Sequence, residues 1–309
     1  MKNSVPTQAI RRISRALGRL FPWRPRIAIG AIFKNEAPYV VEWLAFHRVV
    51  GIDRFFVADN GSDDGTTQLL AALDAAGLVD HIPFPGVPGE NPQMLAYNEI
   101  LRRHSRDADW IAFIDADEFL VPTDDAVSIR PPFEKAPDNV GAIVVNWAIY
   151  GSSGNETAGD GMVIERFVRR AEEAFDNNHV YKSVVRAAAC LGPANPHRFR
   201  LRPGFRQCHV DGRDTRDHPV RAGGSLEICW EGIRLNHYVV KSKEEFTQIK
   251  ARRGPPSARP RQLGPVYFHH HDRDEVRDPV PGWLTEKVKE EVAKVESKLR
   301  GIVWKGNTQ

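Results

Sequence analysis

The 309-residue chain has only three cysteines, Cys190, Cys208 and Cys229, and no CxxC pair. That excludes a disulfide framework and a structural zinc site, and it fits a reducing compartment. Cysteines this sparse read as small packing hydrophobes. No window approaches about 18 consecutive apolar residues, so no transmembrane helix is expected. The N-terminus has no apolar core followed by a small-residue cleavage site, so no secretory signal is expected. Neither GxGxxG nor GxxxxGKS/T follows the first apolar run, which argues against a dinucleotide or P-loop enzyme. A basic excess is missing from the body of the chain too. Lys2, Arg11, Arg12, Arg15, Arg19, Arg24 and Arg26 stand in residues 1–26 without an acid, and the remainder holds 36 basic against 40 acidic residues. The net +3 therefore belongs to a tail, and no nucleic-acid partner is expected.

What is present divides the chain into three parts. Residues 1–25 form a basic leader. Ile10, Ile13, Leu17, Leu20 and Phe21 recur at helical spacing with arginines between them, so residues 8–24 read either as a membrane-surface anchor or as a plain basic arm. The expected location is cytoplasmic, at the inner face of the membrane if the leader docks there. Residues 26–253 read as one α/β domain, with a nucleotide-binding half (26–122) and an acceptor-side half (123–253). Residues 254–309 form an extension ending in an amphipathic helix, Trp283 to Trp304, for core packing or dimerisation.

In the first half, strands expected at Ile27–Phe33, Phe55–Ala58, Val79–Phe84 and Trp110–Ile114 alternate with helical spacing at Tyr39–Val50, Thr66–Ala76 and Gln93–His104. Alternation of this size implies βαβ units and a mainly parallel sheet flanked by helices, a Rossmann-like arrangement. Gly141–Ala148 adds a strand. Beyond Tyr150 the periodicity weakens, and Pro203–Gly224 reads as loop-rich.

Ligands of open parallel sheets bind beyond the carboxyl ends of the strands. Those ends here carry Lys34-Asn35-Glu36, Asp59 and Asp115-Ala116-Asp117-Glu118. In extended chain, Asp115 and Asp117 share one face. Two carboxylates so placed suit Mg²⁺ or Mn²⁺ together with substrate phosphates. The bland alternative is a solvated, capped turn. Asp59 either reaches a nucleobase or ribose edge or caps the turn Asn60–Gly65.

The order Phe33-Lys34-Asn35-Glu36, Glu42-Trp43-Leu44-Ala45-Phe46-His47, Gly51-Ile52-Asp53 and Asp59–Thr66 resembles the family 2-type GT-A glycosyltransferases. Family 92-like members are closer still, through Ala96-Tyr97-Asn98, Trp110–Leu120, Gly151–Gly154, Tyr181–Arg186 and Asn236-His237-Tyr238 with Lys241-Ser242 and Glu244–Phe246. The resemblance runs from about residue 27 to about residue 253. It implies a GT-A fold, a nucleotide-sugar donor with a UDP-sugar favoured, a divalent cation and inversion at the anomeric carbon. It matches Asn35, Glu36 and Asp59 to the nucleotide side, Asp115 and Asp117 to the metal and diphosphate site, and His237 to a late histidine at the metal or diphosphate. The expected enzyme is a hexosyltransferase whose acceptor is a glycan, lipid-linked or protein-linked.

In the second half, Lys182 either holds a diphosphate as a point charge or is a solvated strand lysine. Inversion needs a carboxylate base, and chain order offers Glu165 and Asp176. His269-His270-His271 reads as a solvated loop. A non-catalytic glycan- or nucleotide-binding protein is the alternative, and a sugar nucleotidyltransferase is disfavoured because no Gly-rich basic loop follows the first strand.

Overall fold

The computed structural model describes residues 24–86, 90–123, 126–251 and 263–306. Nearly all of the leader, the middle of the 85–92 loop and the boundary at 253/254 lie outside the described residues.

The first strand, β1 (Ile27–Phe33), sits between β2 (Arg54–Asp59) and β4 (Trp110–Phe113), parallel to both. Its side chains alternate between two apolar layers. Ile27, Ile29, Ala31 and Phe33 pack with α1 (Val40–Val50), α2 (Thr66–Ala75) and α8 (Gly282–Gly306). Ala28 faces Ala96, Tyr97 and Ile100 of α3 (Pro92–His104) on the other side. Two buried faces explain why the strand reads as a continuous apolar run and not as an alternating one. Gly30 is fixed by close approach, since a Cβ there would lie 2.8 Å from the Phe113 ring. Gly51 ends α1 with φ 112°, donating to Arg48 and His47 carbonyls as a left-handed cap.

β3 (Asp80–Pro83) adds to β2 at one edge, again parallel. On the other side of β4 the sheet changes character. β8 (Tyr181–Arg186) is antiparallel to both β4 and β6 (Val140–Ile149). β6 then pairs in parallel with β12 (Ile233–His237) at its end and with β11 (Arg206–His209) at its start. β5 (Glu118–Pro122) closes against β12, antiparallel. The result is a nine-stranded mixed sheet in the order β3-β2-β1-β4-β8-β6-β12-β5, with β11 on β6. The expected α/β fold is present, parallel from β3 through β4 and mixed beyond.

Shorter elements frame the second half: α4 (Pro131–Lys135), α5 (Val163–Arg166), β7 (Arg169–Arg170), β9 (Cys190–Pro193), β10 (Phe199–Leu201), α6 (Lys243–Glu245), α7 (Pro265–His271) and β13 (Val276–Arg277). Two readings change here. The stretch Pro203–Gly224 supplies β11, whose Cys208 and His209 are buried against β6. His269-His270-His271 ends a helix and not a loop. Pro265 opens that helix, at the position where a missing N–H costs nothing, and His271 stacks on Tyr267 with 4.0 Å between centroids.

The C-terminal helix belongs to the core. Leu284, Val288 and Val295 of α8 are buried in the same cluster as α1, and Arg48 of α1 pairs with Glu291 at 2.7 Å. Fully burying each such aliphatic side chain is worth about 1.5–3 kcal/mol.

Candidate active site

The site forms where β1, β2 and β4 end. Asn35, just past β1, has φ 56° and is clamped to the loop after β2. Its side-chain amide donates to Asp63 at 2.8 Å and accepts from the Asp63 N–H at 3.0 Å. Glu36 is buried, and its N–H donates to Thr66 Oγ1 at 2.9 Å. Asp59 is buried at the end of β2. One oxygen accepts from the N–H and hydroxyl of Ser62 at 3.2 and 2.7 Å, and the other from Thr67 Oγ1 at 2.5 Å. Asp59 thus organises its own turn, and Asn35 ties that turn to β1.

After β4 the chain reverses instead of continuing extended. The Glu118 N–H bonds to the Asp115 carbonyl at 3.1 Å, and this tight turn sends the two aspartates to different partners. The same-face geometry expected of an extended DxD is therefore replaced by a split pair. Asp115 accepts from Gln93 Nε2 at 2.7 Å, Tyr97 OH at 3.4 Å and Lys182 Nζ at 2.8 Å. Asp117 accepts from Lys250 Nζ at 2.5 Å and faces His237 Nε2 at 3.5 Å.

Strand register explains why residues so distant in sequence meet. Antiparallel pairing sets Val184 opposite Ala112, so two residues further on Lys182 is level with Ile114 and its amine reaches Asp115. Likewise His237 of β12 lies opposite Glu118 of β5, next to Asp117. The Tyr238 N–H bonds to the Asp117 carbonyl at 2.9 Å and locks that register.

Burial and charge then set the protonation states. Burial would raise the Asp115 carboxyl, but Lys182 outweighs it and holds the group below the usual range. Burial opposes ionisation of Asp117 too, and Lys250 followed by His237 holds it well below the ordinary value. Glu118 is pushed up to about 8 by burial, against the pull of Lys182. Its oxygens accept from the Asp115 N–H at 2.7 Å and Trp147 Nε1 at 2.7 Å. Burial lowers the pKa of His237 and, with Lys182, takes His197 down to about 3, so both rings are neutral at physiological pH. Trp147 lies between these histidines, 4.4 Å from His237 and 5.4 Å from His197.

The structure therefore gathers Asp115, Asp117, His237 and Lys182, with Glu36 in the same cleft as Asp117. Glu165 and Asp176 lie apart from these contacts. Glu165 pairs with Lys289 at 2.7 Å, and Asp176 with Arg221. Lys182 is not solvated: its side chain is 1% exposed between Asp115 and Glu118. Gln93, Trp147, His197 and Lys250 join the site without having been anticipated. Nothing in their local sequence marks them, because each is recruited by a long-range contact. Among the described residues, no group of three or more His, Cys, Asp or Glu is arranged to hold a metal.

The cleft beside Asp117 is narrow and lined by Glu36, Tyr39, Val240, Lys241 and Lys250. A roomier cavity of about 380 Å³ lies at the opposite end of the sheet, by Pro137, Val140 and His209. It touches none of the residues just described, so volume is no guide to the chemistry here.

A sheet packed on both faces, with an acidic turn after β4 and a polar turn after β2, is the arrangement that the resemblance to GT-A glycosyltransferases implies. Residues 28–137 match the family model for glycosyltransferase family 92, which bears out that resemblance. A glycosyltransferase family 92 protein of Arabidopsis thaliana is 26% identical over 191 residues, covering 58% of this chain and 32% of that protein. One of Ricinus communis is 27% identical over 194 residues, covering 60% and 33%. The chain spans about a third of the length of these relatives. Among solved structures, a mannosyltransferase from Pyrobaculum calidifontis in complex with GDP-Man and Mn²⁺ overlaps 44% of this chain and 42% of its own, at 20% identity and a TM-score of 0.31.

Proposed function

We propose that the chain transfers a sugar, with inversion, from a nucleotide-sugar donor to a glycan, lipid-linked or protein-linked acceptor, using a divalent cation. A UDP-sugar is the favoured donor and hexosyl transfer the favoured reaction. One observation carries the reading: Asp117 and His237 face each other at 3.5 Å, buried, at the carboxyl end of the sheet, with Asp115 in the same turn. A carboxylate oxygen and the lone pair of a neutral imidazole suit Mn²⁺ or Mg²⁺ whose remaining ligands are water and phosphate. Such a cation neutralises the diphosphate as its bond to the sugar breaks.

The chain's own residues do the rest. The turn built by Asp59 and Asn35 offers its surface to the nucleotide. Lys182 and Gln93 hold Asp115 in place toward the diphosphate. Trp147, half-buried beside His237, presents a ring to a sugar. Inversion also needs a base for the acceptor hydroxyl. Glu165 and Asp176 remain the candidates by chain order, and each must first leave its ion pair.

A thermal-shift screen of UDP, GDP and dTDP sugars, with and without Mn²⁺, tests the donor, since a ligand bound only by the folded state raises the melting temperature. A Mn²⁺-dependent rise with UDP-sugars is expected. No rise with any nucleotide sugar overturns the reading. On sequence grounds alone, residues 8–24 are either an anchor to an anionic membrane surface or a plain basic arm, and the first is the reading to test. Co-sedimentation of the full chain with anionic liposomes at low salt is expected, and equal sedimentation of a chain starting at Arg26 removes the leader from that role.

A further inference from the structure

Lys250 sits at the end of Phe246–Lys250, a π-helical turn that continues α6. The start of this segment is firmly anchored. Ser242 and Glu245 form a reciprocal cap, and Glu245 also accepts from Arg166 at 2.6 Å and Tyr39 OH at 2.9 Å. That anchoring delivers Lys250 to the cleft, where Nζ reaches Asp117 Oδ2 at 2.5 Å. The other oxygen of Asp117 faces His237. The lysine therefore occupies the carboxylate to which the reading above assigns the cation.

We propose that Lys250 is an exchangeable counter-ion. Its ammonium compensates Asp117 while the site holds no donor, and it moves to the donor's diphosphate when a divalent cation takes the carboxylate. The inference rests on the function proposed above. A buried carboxylate left without a positive partner is strongly disfavoured, so Asp117 needs a cation at every stage. An ammonium and a dication on one carboxylate repel each other, so the two alternate there. The lysine stem is flexible, and its ammonium is a compact charge suited to phosphate, so the exchange needs only side-chain rotation. Lys250 is 17% exposed, against 1% for Lys182, which is walled in between Asp115 and Glu118 and has no such freedom. π-Turns recur at functional positions, and this one ends on the residue in question.

The consequence is coupling: cation and nucleotide bind better together than apart, because the displaced ammonium gains a phosphate partner. The test is Mn²⁺ binding to the full chain, followed by electron paramagnetic resonance of the free ion, with and without UDP, for wild type, Lys250→Met, Lys250→Gln and Lys250→Arg. In the wild type, UDP should tighten Mn²⁺ binding roughly tenfold or more, a usual size of coupling between ligands. Lys250→Met and Lys250→Gln should bind Mn²⁺ more tightly than wild type without UDP and should lose most of the UDP effect. Lys250→Arg should keep the wild-type pattern. If UDP tightens Mn²⁺ binding in the wild type but both neutral variants match wild type without UDP, the exchange is wrong and the proposed function stands. If no variant binds Mn²⁺ under either condition, the exchange and the cation-dependent function fall together.

Discussion

Lys182 Nζ lies 2.8 Å from Asp115 Oδ2, and the lysine side chain is 1% exposed. A charge so fully withdrawn from water serves its neighbours and not the solvent. It stands between Asp115 and Glu118, two acids that burial alone would push toward the neutral form.

Lys182→Met should therefore destabilise the fold by about 3–5 kcal/mol, the usual cost of leaving a buried charge without its partner. Denaturant unfolding measures this directly. A loss under about 1 kcal/mol, typical of an exposed pair, would mean that Asp115 is compensated by other groups.

Glu42 gives a pH dependence. It is buried on α1 and accepts the N–H groups of Val163 and Ile164 at 2.7 and 3.1 Å. Burial raises its pKa from 4.5 to about 7. A raised acid binds its proton more tightly when folded, so its contribution to stability is complete below about 4.5 and is lost as the pH rises through about 7. Glu42→Gln should remove up to about 3 kcal/mol of pH dependence between those limits. Urea midpoints at pH 5 and pH 8 for both proteins check it. Equal slopes in the two would show that Glu42 titrates normally.

Asp59→Ala should weaken UDP binding by about 1.5–3 kcal/mol, the scale of a hydrogen bond to a charged group. The mechanism includes the turn itself, because Ser62 and Thr67 lose their acceptor. Calorimetric titration with UDP is the measurement. Unchanged affinity would confine Asp59 to holding its own turn.

The first half of the α/β domain was legible in the sequence for a physical reason. β1, β2 and β4 are buried on both faces, so they appear as uninterrupted apolar runs closed by acids and turn residues, and the ends of those runs mark the crevice. β8 was harder to value, because Tyr181–Arg186 buries a lysine, a serine and an arginine among its apolar residues. Only the partner strand shows that Lys182 is a counter-ion and not a surface charge. The split of Asp115 from Asp117 depends on a turn that a DxD pattern does not specify. Lys250 had no local signal at all, since its partner Asp117 lies 133 residues away. His271 was misjudged for a similar reason: the contact of its ring nitrogen with Asn177 at 3.0 Å spans distant segments.

Cation-dependent sugar transfer at Asp117 is the proposal on which the others rest. The most direct measurement is release of the nucleoside diphosphate from a panel of UDP-, GDP- and dTDP-sugars with Mn²⁺, comparing wild type with Asp117→Asn. A neutral amide is a much poorer ligand for a hard cation than a carboxylate. Slow hydrolysis of at least one nucleotide sugar by the wild type is expected, abolished by EDTA and abolished in Asp117→Asn, while the variant melts as a folded protein. Turnover that survives both EDTA and Asp117→Asn, or no turnover of any sugar by the wild type, would contradict it.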